Sequence, residues 1–170
     1  MNHSHAGKII LNESAIAEGV NLVADRLNSD FSDAVIITVT PGGIFFTADL
    51  TRKLKFDVEM DYISCPHTPG ERNNASEIVF HNNIGIEGRN VIVIDDAIES
   101  GGTMKRLNEN YNPQSVSVAV LFVKPGRISI PARCYYAYEM ENDDLLIGYG
   151  MPWENKFRNL PCVSQLIKDN

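Results

Sequence analysis

At 170 residues with a formal net charge of −7, the chain can bury a sizeable core within one domain, and its acidity argues against nonspecific nucleic-acid binding. Its three cysteines, Cys65, Cys134 and Cys162, are odd in number and widely spaced, which fits free thiols in a reducing cytoplasm better than a disulfide framework or a zinc site. It has no apolar run of the roughly eighteen residues a membrane span needs and no basic start leading into an apolar stretch, so it reads as a cytoplasmic protein with no membrane partner.

In chain order, residues 1–8 read as a flexible arm in which His3 and His5 are solvated. Asn12 and Ser14 are N-cap candidates for an amphipathic helix marked by Ile16, Val20, Val23 and Leu27. Ala34 to Val39 is a β-branched strand ending at Thr40-Pro41-Gly42-Gly43, followed by helix from Phe45 to Leu54 and an extended segment from Phe56 to Ser64. Residues 65–77, rich in Pro, Gly, Asn and charge, are expected to be a mobile loop, with Ile78 to Ile84 a strand of the same flap. Further on, the pattern predicts a helix from Met104 to Tyr111, stopped by Asn112-Pro113, and strands over Ser115 to Val123, Tyr135 to Glu139 and Leu145 to Tyr149. This alternation implies an α/β domain spanning 1–170, built on a largely parallel sheet of about five strands with helices on both faces.

The chemistry concentrates in residues 91–104. Val91-Ile92-Val93-Ile94 is a strand covered on both faces, and its carboxyl end is where an open α/β sheet binds ligands. Ser100, Gly101, Gly102 and Thr103 offer small side chains, two hydroxyls and successive backbone N–H groups suited to a phosphate. Asp95 and Asp96 have the opposite preference, for sugar hydroxyls or hydrated Mg²⁺. Phosphate, diol and magnesium on one loop describe a phosphorylated ribose.

The run Val91 to Met104 resembles the phosphoribosyl-pyrophosphate (PRPP) motif of the type I phosphoribosyltransferases: a hydrophobic strand, two acids, two apolar residues, an acid, Thr or Ser, Gly, any residue, Thr. Three further blocks, in family order, are similar to the hypoxanthine-guanine branch. They are Gly42-Gly43-Ile44-Phe45-Phe46-Thr47-Ala48-Asp49-Leu50, then Leu121-Phe122-Val123-Lys124, and finally Leu146-Ile147-Gly148-Tyr149-Gly150 with Phe157-Arg158-Asn159-Leu160-Pro161. The resemblance covers roughly residues 10 to 167 and implies the type I fold, a twisted, mostly parallel sheet flanked by helices. A small hood from the chain ends, about 9–20 and 140–170, is expected to cap it. It also implies purine salvage: transfer of 5-phosphoribosyl from PRPP to hypoxanthine or guanine, with Mg²⁺, in a dimer or tetramer.

By the same resemblance, Asp95 and Asp96 would hold the ribose hydroxyls directly or through Mg²⁺, and Ser100, Gly101, Gly102 and Thr103 the 5′-phosphate. Glu99 would be the general base near purine N7, where the family normally has Asp. Pro41, Gly42, Gly43 and Arg158 would hold pyrophosphate, Arg158 as a bidentate clamp. Lys124 would donate to the exocyclic oxygen at purine C6, Leu145 would cover the base and Leu146 would offer it backbone groups. Plain alternatives stand beside these roles: a dipole-favouring carboxylate for Glu99, a surface lysine, a surface salt bridge for Arg158, and core packing for both leucines.

The chain departs from the family pattern at several points. Pro41 replaces a basic residue at a loop where other members carry a non-proline cis peptide, which predicts a cis Thr40-Pro41 bond. Pro66-His67-Thr68-Pro69-Gly70 stands where a Ser-Tyr pair is usual, and Pro152 stands where an acid often assists a second magnesium, with Trp153 and Glu154 adjacent. These departures keep two alternatives open: a xanthine-preferring enzyme, and a noncatalytic regulator that binds PRPP or a nucleotide.

Overall fold

The computed structural model describes residues 3–65, 78–97, 109, 112–125 and 132–169. A first strand, β1 (Ser4–Leu11), leads into helix α1 (Glu13–Asp30). Asn12 caps that helix, its side-chain oxygen accepting from Ala15 N–H at 2.8 Å, and so satisfies one of the donors that every helix start leaves over. Ile16, Val20, Val23 and Leu27 are buried along one face, each contributing on the order of 1.5–3 kcal/mol through removal from water.

The main sheet comprises β2 (Asp33–Thr40), β3 (Asp57–Ser64), β4 (Val79–Phe80), β5 (Asn90–Ile94), β6 (Ser115–Ala119) and β8 (Arg133–Tyr135), in the order β4-β3-β2-β5-β6-β8. All neighbours are parallel except the β3/β4 edge pair. Strands β2 and β5 are central and buried on both faces, which is why they read as unbroken apolar runs. Ala34, Ile36, Ile92 and Ile94 pack with α1 and with helix α2 (Ile44–Thr51), while Val35, Ile37, Val39, Val91 and Val93 form a second cluster on the opposite face. The helix predicted over 104–111 falls, but for Glu109, outside the described residues.

Four expected strands are shortened or divided. The 78–84 strand is reduced to Val79–Phe80, because Asn82 is left-handed and the Asn83 and Ile84 amides turn onto the Asp61 carboxylate at 2.9 and 3.0 Å. The 115–123 and 135–139 strands each divide in two. Beyond β6 and β8, the ladder resumes as β7 (Phe122–Val123) beside β9 (Tyr138–Glu139). Hydrogen bonds from Val120 N–H to Tyr135 and from Ala137 N–H to Leu121 bridge the break. The 145–149 strand is only β10 (Leu146–Ile147), since Gly148, Tyr149 and Gly150 all have positive φ, which ends an extended run.

The expectation of a flexible arm is corrected. Ser4–Leu11 is a strand paired antiparallel with β11 (Val163–Lys168), from Ser4 opposite Lys168 to Leu11 opposite Val163. A polar segment with little to bury is held through its backbone groups, for which composition gives no signal. With β10, these strands form a separate three-stranded sheet in the order β1-β11-β10. Both ends of the described chain therefore meet in one small layer.

Candidate active site

Adjacent parallel strands β2 and β5 end side by side, and the turns leaving them touch. The Thr40–Pro41 peptide is cis, as the sequence reading expects. Behind it, a Cβ built on Gly42 would lie 2.5 Å from Asp96 Oδ2, so a larger residue here would displace the second carboxylate from its place beside the turn. Gly43 N–H donates to Val39 carbonyl oxygen at 2.7 Å and Gly43 caps α2. Of the two glycines expected to hold pyrophosphate, Gly43 uses its amide to close the turn, while Gly42 N–H has no partner among the described residues.

Asp95 and Asp96 follow β5 directly, where the resemblance places them. Asp95 Oδ1 accepts from Asp96 N–H at 2.7 Å, and Asp96 Oδ1 accepts from Ala97 N–H at 2.6 Å. These bonds fix both acids at the mouth of the sheet. Their hard oxygen donors suit Mg²⁺, although no set of three such side chains gathers among the described residues. Glu99, Ser100, Gly101, Gly102 and Thr103 lie outside the described residues, as do all of residues 65–77 except Cys65. Cys65 N–H donates to Thr40 carbonyl oxygen at 3.0 Å.

Arg158 enters from the C-terminal layer. It is half-buried, and Nη1 donates to Gly150 carbonyl oxygen at 2.7 Å. Burial lowers its pKa, while the Asp96 and Asp95 carboxylates partly offset that cost. Gly150, whose carbonyl oxygen holds Nη1, abuts the Gly42 carbonyl oxygen, and Gly42 in turn lies against Asp96, so the structure brings Gly42, Asp96 and the Arg158 anchor together at the edge of the sheet where Asp95 and Asp96 follow β5.

Lys124 forms a second cluster. Its side chain is almost fully buried, and Nζ donates to Asp144 carbonyl oxygen at 2.9 Å with Asp143 Oδ1 at 3.9 Å. The plain reading of a solvated surface lysine is thus excluded. A buried ammonium carries a large desolvation cost that these oxygens offset. The contact fastens Lys124 beside Leu145 and Leu146, which are both half-buried. Leu145 carbonyl oxygen accepts from Leu166 N–H at 2.9 Å, so it is committed to β11. Glu154 is exposed, in a turn closed by the Trp153–Lys156 bridge, and Lys168 Nζ sits 4.0 Å over the Trp153 ring.

Sequence reasoning missed Asp49 and Tyr149 as partners. Tyr149 Oη donates to Asp49 Oδ2 at 2.5 Å. The only signal available was the Gly-Tyr-Gly run itself, whose flanking glycines announce an unusual backbone.

A mostly parallel sheet whose carboxyl edge joins paired acids, a tight glycine turn and a guanidinium defines an α/β protein with its charged groups gathered where such sheets bind ligands. The model of the family described as the phosphoribosyl transferase domain matches residues 6–154, and the chain belongs to that family. It is 31% identical over 166 residues to the hypoxanthine-guanine-xanthine phosphoribosyltransferase of Tritrichomonas foetus, covering 94% of this chain and 91% of that protein. It is 28% identical over 170 residues to the hypoxanthine-guanine phosphoribosyltransferase of Streptococcus pyogenes, covering 95% and 94%. Among solved structures, a hypoxanthine-guanine phosphoribosyltransferase from Bacillus anthracis superposes with a TM-score of 0.82 at 28% identity, covering 97% of this chain and 100% of that one.

Proposed function

We propose that the chain is a purine salvage enzyme that transfers 5-phosphoribosyl from PRPP to hypoxanthine or guanine, yielding IMP or GMP and pyrophosphate. The observation that carries this reading is the close approach of Gly42 to Asp96 on one side and to Gly150, which holds Arg158, on the other, where β2 and β5 end. In such a transfer the sugar passes through an oxocarbenium-like state while pyrophosphate departs, so the site must stabilise opposite charges side by side. Asp95 and Asp96 hold the ribose diol and screen the cationic ring. Arg158, with Pro41, Gly42 and Gly43 shaping the turn opposite, receives the pyrophosphate. Asp95 and Asp96 also hold Mg²⁺, which neutralises charge on the leaving group when bound.

Ser100, Gly101, Gly102 and Thr103 are assigned to the 5′-phosphate, and Glu99 to removal of the proton from purine N7. Lys124, presented beside the 143–146 segment, donates to the C6 oxygen; Leu145 covers the base and Leu146 borders its edge. Adenine presents an amino group at C6 and would set donor against donor. The layer formed by β1, β10 and β11 serves as the hood over a single domain. The exposed Ile44 and Phe45 on α2 support a homo-oligomer, and the three free thiols support a cytoplasmic setting.

Similarity to the Tritrichomonas foetus enzyme, whose name includes xanthine, favours xanthine as a second acceptor. Turnover with PRPP, Mg²⁺ and each of hypoxanthine, guanine, xanthine and adenine tests the proposal. Hypoxanthine and guanine are expected to react and adenine not. Tight PRPP binding with no turnover on any base would point instead to a regulator.

A further inference from the structure

We propose that Tyr149 and Asp49 form a positioning pair that sets the separation between the Gly42 turn and Arg158, and so governs the grip on pyrophosphate. The inference rests on the site assignment above and names a residue pair that assignment does not use.

Tyr149 joins the C-terminal segment to α2. Its backbone N–H donates to Leu160 carbonyl oxygen at 2.9 Å, which ties it to the C-terminal segment carrying Arg158. Its side chain turns the other way. Tyr149 Oη donates to Asp49 Oδ2 at 2.5 Å, and the ring lies 6.5 Å from Phe45 and 6.4 Å from Phe46. Those three partners belong to α2, the helix that begins immediately after Gly42-Gly43.

The adjoining residue completes the linkage. Gly150 N–H donates to Arg158 carbonyl oxygen at 2.9 Å, and Gly150 carbonyl oxygen accepts from Arg158 Nη1 at 2.7 Å. At φ +100, a Cβ on Gly150 would run into the Gly42 carbonyl oxygen. Within two successive residues the chain therefore grips α2, abuts the Gly42 turn and holds the Arg158 guanidinium. Tyr149 is nearly buried, and burial, reinforced by the Asp49 bond, raises its pKa. The hydroxyl stays protonated and remains a donor over the working range.

Tyr149→Phe keeps the ring and removes the hydrogen bond. It is expected to weaken magnesium pyrophosphate binding, read by calorimetry, and to raise the pyrophosphate KM in the reverse reaction with IMP, each about tenfold. The KM for IMP should stay within about twofold. Asp49→Ala should reproduce this pattern, and the double variant should be no worse than either single change. Asp49→Asn keeps an oxygen for Tyr149 Oη and should restore pyrophosphate affinity to within about twofold of the unmodified protein.

Unchanged pyrophosphate affinity in both Tyr149→Phe and Asp49→Ala would overturn the inference. So would equal weakening toward IMP and pyrophosphate, which is the signature of general loosening. If Tyr149→Phe fails to fold, Asp49→Ala and its rescue by Asn decide the matter. Absence of turnover in the unmodified protein, with pyrophosphate affinity still responding as described, would defeat the transferase reading and leave the pair intact.

Discussion

Arg158 Nη1 and the Gly150 carbonyl oxygen lie 2.7 Å apart, so the cation proposed to receive pyrophosphate is oriented by the same backbone that abuts Gly42. One guanidinium edge is spent on this contact and the remaining donors are held in a fixed plane. Orientation is thus established before any substrate arrives, which lowers the cost of ordering the side chain on binding.

Arg158→Ala is accordingly expected to lower kcat/KM for PRPP by about 10²-fold or more, and Arg158→Lys to recover little of it, because an ammonium lacks the planar fork. Steady-state kinetics in both directions check this. Full recovery by lysine would show that only net charge matters.

Lys124→Ala should lower kcat/KM for hypoxanthine by about 10²-fold while changing the residual rate with adenine much less, narrowing the discrimination between them. The same change leaves the Asp144 carbonyl oxygen without its Nζ donor and should cost about 1–3 kcal/mol of stability. Kinetics with both bases and a denaturant titration separate the two effects. A uniform loss across bases would remove Lys124 from base selection.

Glu99→Gln is expected to leave PRPP affinity within a few-fold and to reduce turnover by roughly 10²-fold or more, because the amide cannot accept the N7 proton. Calorimetry with PRPP and single-turnover kinetics read the two quantities independently. Undiminished turnover would exclude proton transfer through this carboxylate.

Acid sensitivity should depend on Asp61. Burial tends to raise its pKa, but the Asn83 side chain and the N–H groups of Tyr62, Ile84 and Asn83 outweigh burial and hold the carboxyl below its ordinary value. A depressed folded value stabilises the protein fully above the unfolded pKa near about 3.9, and that contribution is lost as pH falls through the folded value. Asp61→Asn should therefore lower stability at neutral pH and flatten the acid limb. Urea midpoints measured for both proteins between about pH 5 and pH 2 check it. Parallel curves would contradict the sign.

The central strands and α1 were legible because their patterns are local: β-branched runs in β2 and β5, and a 3.6-residue spacing behind Asn12. The positions of Asp95 and Asp96 followed from the strand that precedes them. Strand β1 was not legible, since Ser4 to Lys8 is polar and its pairing with Val163–Lys168 lies at the far end of the sequence. The Gly43 amide and the Tyr149–Asp49 bond were missed for a related reason. Each depends on close approach between distant segments, and the glycines that permit it show only that something comes near.

The most direct measurement is a crystal structure with IMP bound. The 5′-phosphate is expected on residues 100–103, the ribose diol on Asp95 and Asp96, and the C6 oxygen within hydrogen-bonding distance of Lys124 Nζ. A phosphate bound elsewhere, with Asp95 and Asp96 making no contact to the sugar, would contradict that placement.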